Sequence, residues 1–135
     1  MKCVWTPMPS HTLESDMRLR SAMLFVKDLG RMTAFYADVL GLRPNEETRL
    51  DSWVEFRDAA FALHAIPGAI AAGIQNESPP RAREQSAAKL TFEVQDVEAT
   101  LTKIEAMGLP VLRRSWGGTE AVDPEGNVFA LQEAP

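Results

Sequence analysis

Apolar and polar positions alternate or recur in the same order twice along this chain. Met23-Leu24-Phe25-Val26 reads as a buried strand, with Leu24 and Val26 on one face and Ser21, Met23 and Phe25 on the other. A three-to-four spacing follows through Leu29, Met32, Phe35 or Tyr36, and Val39 or Leu40, which predicts an amphipathic helix. Asp28 is placed to cap its first turn, Gly41 to end it in a left-handed conformation, and Pro44 to prevent its resumption. Two or three strands are expected next: one beside the Asn45-Glu46-Glu47 turn, Trp53 to Phe56, and Ala60 to Ala65 after a turn at Arg57-Asp58.

The second half repeats this plan. Lys89 to Gln95 alternates strictly, turning Leu90, Phe92 and Val94 inward. Asp96 caps a helix with the stripe Val97, Leu101 and Ile104, closed by Gly108-Leu109-Pro110. Strands are expected at Val111 to Ser115, Thr119 to Val122 and Val128 to Glu133, with turns at Trp116-Gly117-Gly118 and Asp123-Pro124-Glu125-Gly126-Asn127. Phe61-Ala62-Leu63 recurs as Phe129-Ala130-Leu131, and Val26-Lys27-Asp28-Leu29 matches Val94-Gln95-Asp96-Val97, both at an offset of 68 residues.

The fold class is therefore α+β: two tandem βαβββ modules whose helices each cover one sheet face. Their uncovered faces, meeting, form an incomplete barrel around a cavity. The organisation expected is an N-terminal extension at 1–18, a mobile tail broken by Pro7 and Pro9, followed by one domain at 19–135. Within the domain, module one spans 19–67 and module two 88–135. The linker at 68–87 is rich in Gly, Pro and small residues, with a reach of up to about 65 Å, so the modules can pair within a chain or be exchanged between chains.

Composition narrows the partners. A net charge of −5 argues against nucleic acid, whose phosphates call for a basic face. No run reaches the roughly 18 apolar residues of a membrane span, and Met1 to Arg20 lacks the apolar segment of a secretory signal. The single cysteine, Cys3, fits a reducing, cytoplasmic location and has no activating base beside it in sequence. His11 and Trp5 are isolated. No Gly-x-Ser-x-Gly elbow and no phosphate-cradling glycine loop is present.

The double plan, with Val26-Lys27-Asp28-Leu29 running into Phe35-Tyr36-Ala37-Asp38-Val39-Leu40-Gly41-Leu42, resembles the vicinal oxygen chelate superfamily of glyoxalases, extradiol dioxygenases, fosfomycin-modifying enzymes and bleomycin-binding resistance proteins. Phe92 to Val97, Gly108 to Val111, Trp116-Gly117 and Asp123 to Asn127 resemble its second half. In metal-using members the ligands stand on the first and last strand of each module. The resemblance carries those positions onto Ser21, Ala62, Lys89 and Ala130. Two methyl groups offer no lone pair, Ser is a poor ligand for zinc or iron, and an ammonium repels a cation, so no metal and no cofactor is expected in the usual place.

The open faces offer a small-molecule pocket instead. Met23, Phe25, Trp53, His64, Lys89, Thr91, Glu93, Trp116 and Gln132 are the candidate ligand-binding residues. His64 is a polar handle or acid–base group, or a satisfied histidine within the sheet; Trp53 and Trp116 stack on a planar ligand or pack. Glu93 is expected to pair with Lys89 or to act as a base. The first reading of function is a metal-free binding protein, similar to the resistance proteins that sequester a toxic compound or antibiotic. The alternative is a lyase or dioxygenase-like enzyme using His64 and Glu93 or a displaced metal, and a third is a scaffold with a filled cavity. The resemblance and the linker length imply a homodimer.

Overall fold

A computed structural model describes residues 17–135. The extension expected at 1–18, with Cys3, Trp5 and His11, lies almost wholly outside the described residues.

Module one forms β1 (Ala22–Val26), α1 (Leu29–Asp38), β2 (Trp53–Glu55) and β3 (Phe61–Ala65). A one-turn helix, α2 (Gly68–Ala71), follows within the linker, where none was expected. Module two forms β4 (Leu90–Val94), α3 (Val97–Ala106), β5 (Val111–Arg113), β6 (Thr119–Val122) and β7 (Val128–Glu133). Both predicted caps are made: the Asp28 carboxylate accepts from Arg31 N at 3.0 Å and the Asp96 carboxylate from Ala99 N at 3.0 Å. Gly41 and Gly108 take the left-handed conformation, with φ of 78° and 80°, that ends each helix.

The sheets are ordered β1-β3-β2 and β4-β7-β6-β5. In each, the first strand runs parallel to the last, and the register repeats at the same offset: Met23 lies beside Ala62 as Thr91 lies beside Ala130. Module one has three strands where four are the plan. Its missing strand is reduced to an isolated bridge from Pro44 to Phe56, flanked by Asn45 N to Glu55 O and Arg57 N to Arg43 O, each at 2.8 Å. Both ladder bonds come from the residues beside the bridged pair, so Pro44, whose own nitrogen points away from Phe56 in such a pair, is tolerated at this edge position.

The helix-facing sides of the two sheets share one core. Tyr36 on α1 lies at its centre, its ring 4.9 Å from Phe61, 5.7 Å from Phe92 and 6.2 Å from Phe129. Its hydroxyl donates to Asp123 Oδ2 at 2.7 Å. Among the described residues no strand pairing joins the two sheets; they do not close into a barrel. Their opposite faces remain open, and there Met23, Phe25, Thr91, Glu93 and Gln132 are exposed.

Candidate functional site

Strand pairing places the predicted side chains on the open faces in rows. On the first sheet His64 stands between Phe25 on β1 and Trp53 on β2. The Phe25 and His64 rings lie 5.2 Å apart, tilted by 43°. His64 Nδ1 lies 2.8 Å from the carbonyl of Ala65, which makes Nδ1 the donor and leaves Nε2 the acceptor of the neutral ring. Phe25 is 64% exposed and Met23 40%, an unusual exposure for two apolar residues of a strand whose other face, Leu24 and Val26, packs on the core. The next row, Met23, Ala62 and Glu55, ends in an ion pair of Glu55 with Arg20 at 3.3 Å.

The second sheet is polar where the first is aromatic. Thr91, Ala130, Glu120 and Leu112 form one row across its four strands. Lys89 precedes Thr91 by two residues on the same face and donates through Nζ to Glu120 Oε2 at 2.6 Å. This corrects the expected Lys89–Glu93 pair. Four residues along a strand separate two Cα atoms by about 13 Å, a spacing that pairs side chains on a helix and not on a sheet. Glu93 instead accepts from Gln132 Nε2 at 3.2 Å, its register neighbour on β7. His64 and Glu93 lie on different sheets, each engaged with its own neighbours.

Glu120 is the site residue that sequence reading missed. Its side chain is 1% exposed, and its other oxygen, Oε1, accepts from Arg114 Nε at 2.9 Å. Burial pushes the Glu120 carboxyl up, but the hydrogen bonds from Lys89 and Arg114 more than offset it and hold the group below the usual carboxylate range. The signal available was the hairpin of Thr119 to Val122 with Val128 to Glu133, whose register puts Glu120 opposite Ala130.

Trp116 is 72% exposed at the β5–β6 turn. Its indole lies over Gly118, where an added Cβ would meet the ring at 2.1 Å, so the absence of a side chain at 118 lets the indole fold down. Beyond the open faces, a cleft of about 770 Å³ follows the free edge of β4 and is lined by Leu42, Asp58, Glu93, Asp96, Lys103 and Gln132 among others. A smaller cavity of about 120 Å³ lies at the seam between modules, bounded by Leu24, Tyr36, Arg83, Ser86, Leu90 and Phe129.

The residues at the four positions onto which the resemblance carries metal ligands are a poor fit for a divalent ion. Ala62 and Ala130 have no donor atom, and Lys89 brings a positive charge already matched to Glu120. Among the described residues no three of His, Cys, Asp and Glu gather as a metal group elsewhere. No helix among them is long and apolar enough to cross a membrane.

Two α+β modules in tandem, each with one sheet face covered and one open, are the architecture of the vicinal oxygen chelate fold. Residues 18–131 match the Glyoxalase/Bleomycin resistance protein/Dioxygenase superfamily, and the chain belongs to it. A protein of unknown function from Agrobacterium tumefaciens str. C58 is similar at 29% identity and a TM-score of 0.63, over 90% of this chain and 97% of that one. The fosfomycin resistance protein FosX from Listeria monocytogenes, complexed with Mn(II) and sulfate ion, shares the fold at 17% identity and a TM-score of 0.58, over 87% of this chain and 93% of that one. Lactoylglutathione lyase from Agrobacterium tumefaciens does so at 23% and 0.53, over 87% and 93%. No curated protein matches the chain.

Proposed function

We propose that this chain binds a small organic compound without a metal, in a pocket built where the aromatic open face of one module meets the polar open face of another. The observation that carries the reading is the content of the family's four cation positions. Ser21, Ala62, Lys89 and Ala130 leave a divalent ion without ligands, while the row Phe25, His64 and Trp53 offers apolar area with one polar atom. A planar or apolar ligand body stacks on that row, and Thr91, Glu93 and Gln132 supply hydrogen bonds from the second sheet. Since the open faces of one chain stay exposed, a homodimer that sets the first sheet of one copy against the second sheet of its partner covers Met23 and Phe25 and completes the pocket. Sequestration of a toxic compound or antibiotic, with the compound unaltered, is the role this chemistry serves.

The test combines metal analysis, light scattering and thermal melting of the purified protein against a panel of small aromatic and anionic compounds. The expected result is a dimer with no stoichiometric metal whose melting temperature rises with at least one compound. Stoichiometric zinc, iron, manganese or nickel overturns the metal-free reading, and a monomer overturns the shared pocket.

A further inference from the structure

One of the four positions onto which the family resemblance carries a metal ligand is Lys89, whose ammonium is held by Glu120. We propose that Lys89, with Thr91, forms an anion seat at that position, and that the ligand of the open-face pocket carries a carboxylate, phosphonate or phosphate group. This rests on the binding reading above and specifies the ligand's chemical class.

The charges around Glu120 support it. One buried carboxylate serves two cations: Lys89 Nζ at 2.6 Å on Oε2 and Arg114 at 2.8 Å on Oε1. Arg114 has a second carboxylate, Glu84, at 2.6 Å from its Nη2, so its charge is matched twice. Lys89 is matched once. Its ammonium carries three donors, and Glu120 is its one partner among the described residues, while 45% of its side chain is accessible. The donors left over are those a ligand oxygen reaches.

The surroundings shape the seat. Ala130 stands between Thr91 and Glu120 in the sheet, and its methyl leaves room above the strand where a longer side chain would stand. Thr91 is exposed beside that room, with a hydroxyl that can donate. Anchoring on Glu120 holds the lysine chain in place before a ligand arrives, which lowers the ordering cost of binding. Glu93, the remaining charged group on this face of β4, lies one strand repeat beyond Thr91 and is held by Gln132. Its negative charge turns an anionic head away and toward Lys89, setting the ligand's direction.

The experiment follows backbone amide shifts of the ¹⁵N-labelled full chain at constant ionic strength while sodium phosphate, methylphosphonate or acetate replaces sodium chloride. Saturable shifts centred on Lys89, Thr91, Glu120 and Ala130 are expected with at least one oxyanion, and which of the three acts best separates the phosphate, phosphonate and carboxylate sources. Lys89→Met should weaken that response by about tenfold or more, the scale of one charge-assisted hydrogen bond, and Lys89→Arg should retain it. Thr91→Val, at an exposed position, should weaken it by about threefold and keeps the test alive if Lys89→Met fails to fold. No saturable response to any of the three anions, or an undiminished response in both Lys89→Met and Thr91→Val, overturns the seat. Neither result touches the metal-free reading, which fails separately if the same protein carries stoichiometric metal.

Discussion

Replacing Tyr36 with phenylalanine removes one oxygen from the centre of the molecule and nothing else. The ring contacts with Phe61, Phe92 and Phe129 survive, so the loss is confined to the hydrogen bond from the Tyr36 hydroxyl to Asp123 Oδ2 at 2.7 Å. Asp123 is fully buried and holds other donors: Asn127 Nδ2 at 2.9 Å on Oδ2, and the amides of Glu125 and Asn127 at 2.9 and 3.0 Å on Oδ1. Losing one of several bonds to a buried charge costs about 1.5–3 kcal/mol. The pH dependence carries the sharper prediction. Burial pushes the Asp123 carboxyl above its usual range, against the pull of Tyr36 and Asn127. A carboxyl raised in the folded state lowers stability when ionised, and that penalty is relieved as pH falls through its folded pKa. Without the Tyr36 donor the carboxyl rises further, so the deficit of Tyr36→Phe is largest at neutral pH and shrinks on acidification. Glu120, whose carboxyl is depressed, contributes stability that is lost as pH falls, but it does so equally in both proteins and cancels in the difference. Urea unfolding of both proteins at pH 7 and at several acidic values measures this directly. A deficit below about 0.5 kcal/mol at neutral pH, outside the range expected for such a bond, or one that grows as pH falls, refutes the argument.

Three further outcomes are expected. Glu125→Gln leaves one carbonyl oxygen for two backbone donors, Lys27 N at 2.8 Å and Asp28 N at 2.7 Å, and should lower the urea midpoint by the equivalent of about 1–3 kcal/mol with an unchanged denaturant slope. Gly126→Ala forces a side chain into φ of 93° with its Cβ 2.6 Å from the Arg81 carbonyl; a loss of about 1–3 kcal/mol is expected in the same assay. His64→Ala should keep the far-ultraviolet dichroism and the cooperative melt of the parent while weakening the response to any compound that stabilises it; a protein that no longer folds would make His64 a packing residue.

Much of the architecture is legible because the chain states it twice. Asp28 and Asp96 are caps by the same logic, and the offset of 68 residues carries over to the sheets, where Met23 pairs with Ala62 as Thr91 pairs with Ala130. Alternation assigned Leu24 and Val26 to the covered face and Met23 and Phe25 to the open one, and exposure follows that assignment. What escaped reading depends on contacts across strands. Pro44 reads as a helix stop, yet its place in the remnant of the fourth strand appears only once its neighbour is known to be Phe56. Lys89 reads as a partner for Glu93 because both are near in sequence; the actual partner is two strands away, past an alanine whose small size leaves the path clear. Cross-strand neighbours follow from register, and register alone would have found Glu120.

The repeat also shows where the two modules have ceased to be equivalent. At the same offset Tyr36 corresponds to Ile104, Asp123 to Glu55 and Glu125 to Arg57. Module one therefore sends a hydroxyl into the Asp123–Asn127 turn of module two, and that turn sends a carboxylate back to the amides of Lys27 and Asp28. The reciprocal contacts are chemically impossible: isoleucine has no donor and a guanidinium accepts nothing. One end of the seam is thus fastened by three hydrogen bonds to buried carboxylates. The other runs past Asp58 and Asp96 and opens as the large cleft along β4. The Asp-Pro-Glu-Gly-Asn segment, which reads from sequence as a turn, owes its two acidic residues to this asymmetric fastening as much as to the turn itself. Holding the modules from one end fixes the directions of their two open faces, and those directions decide what the faces can enclose.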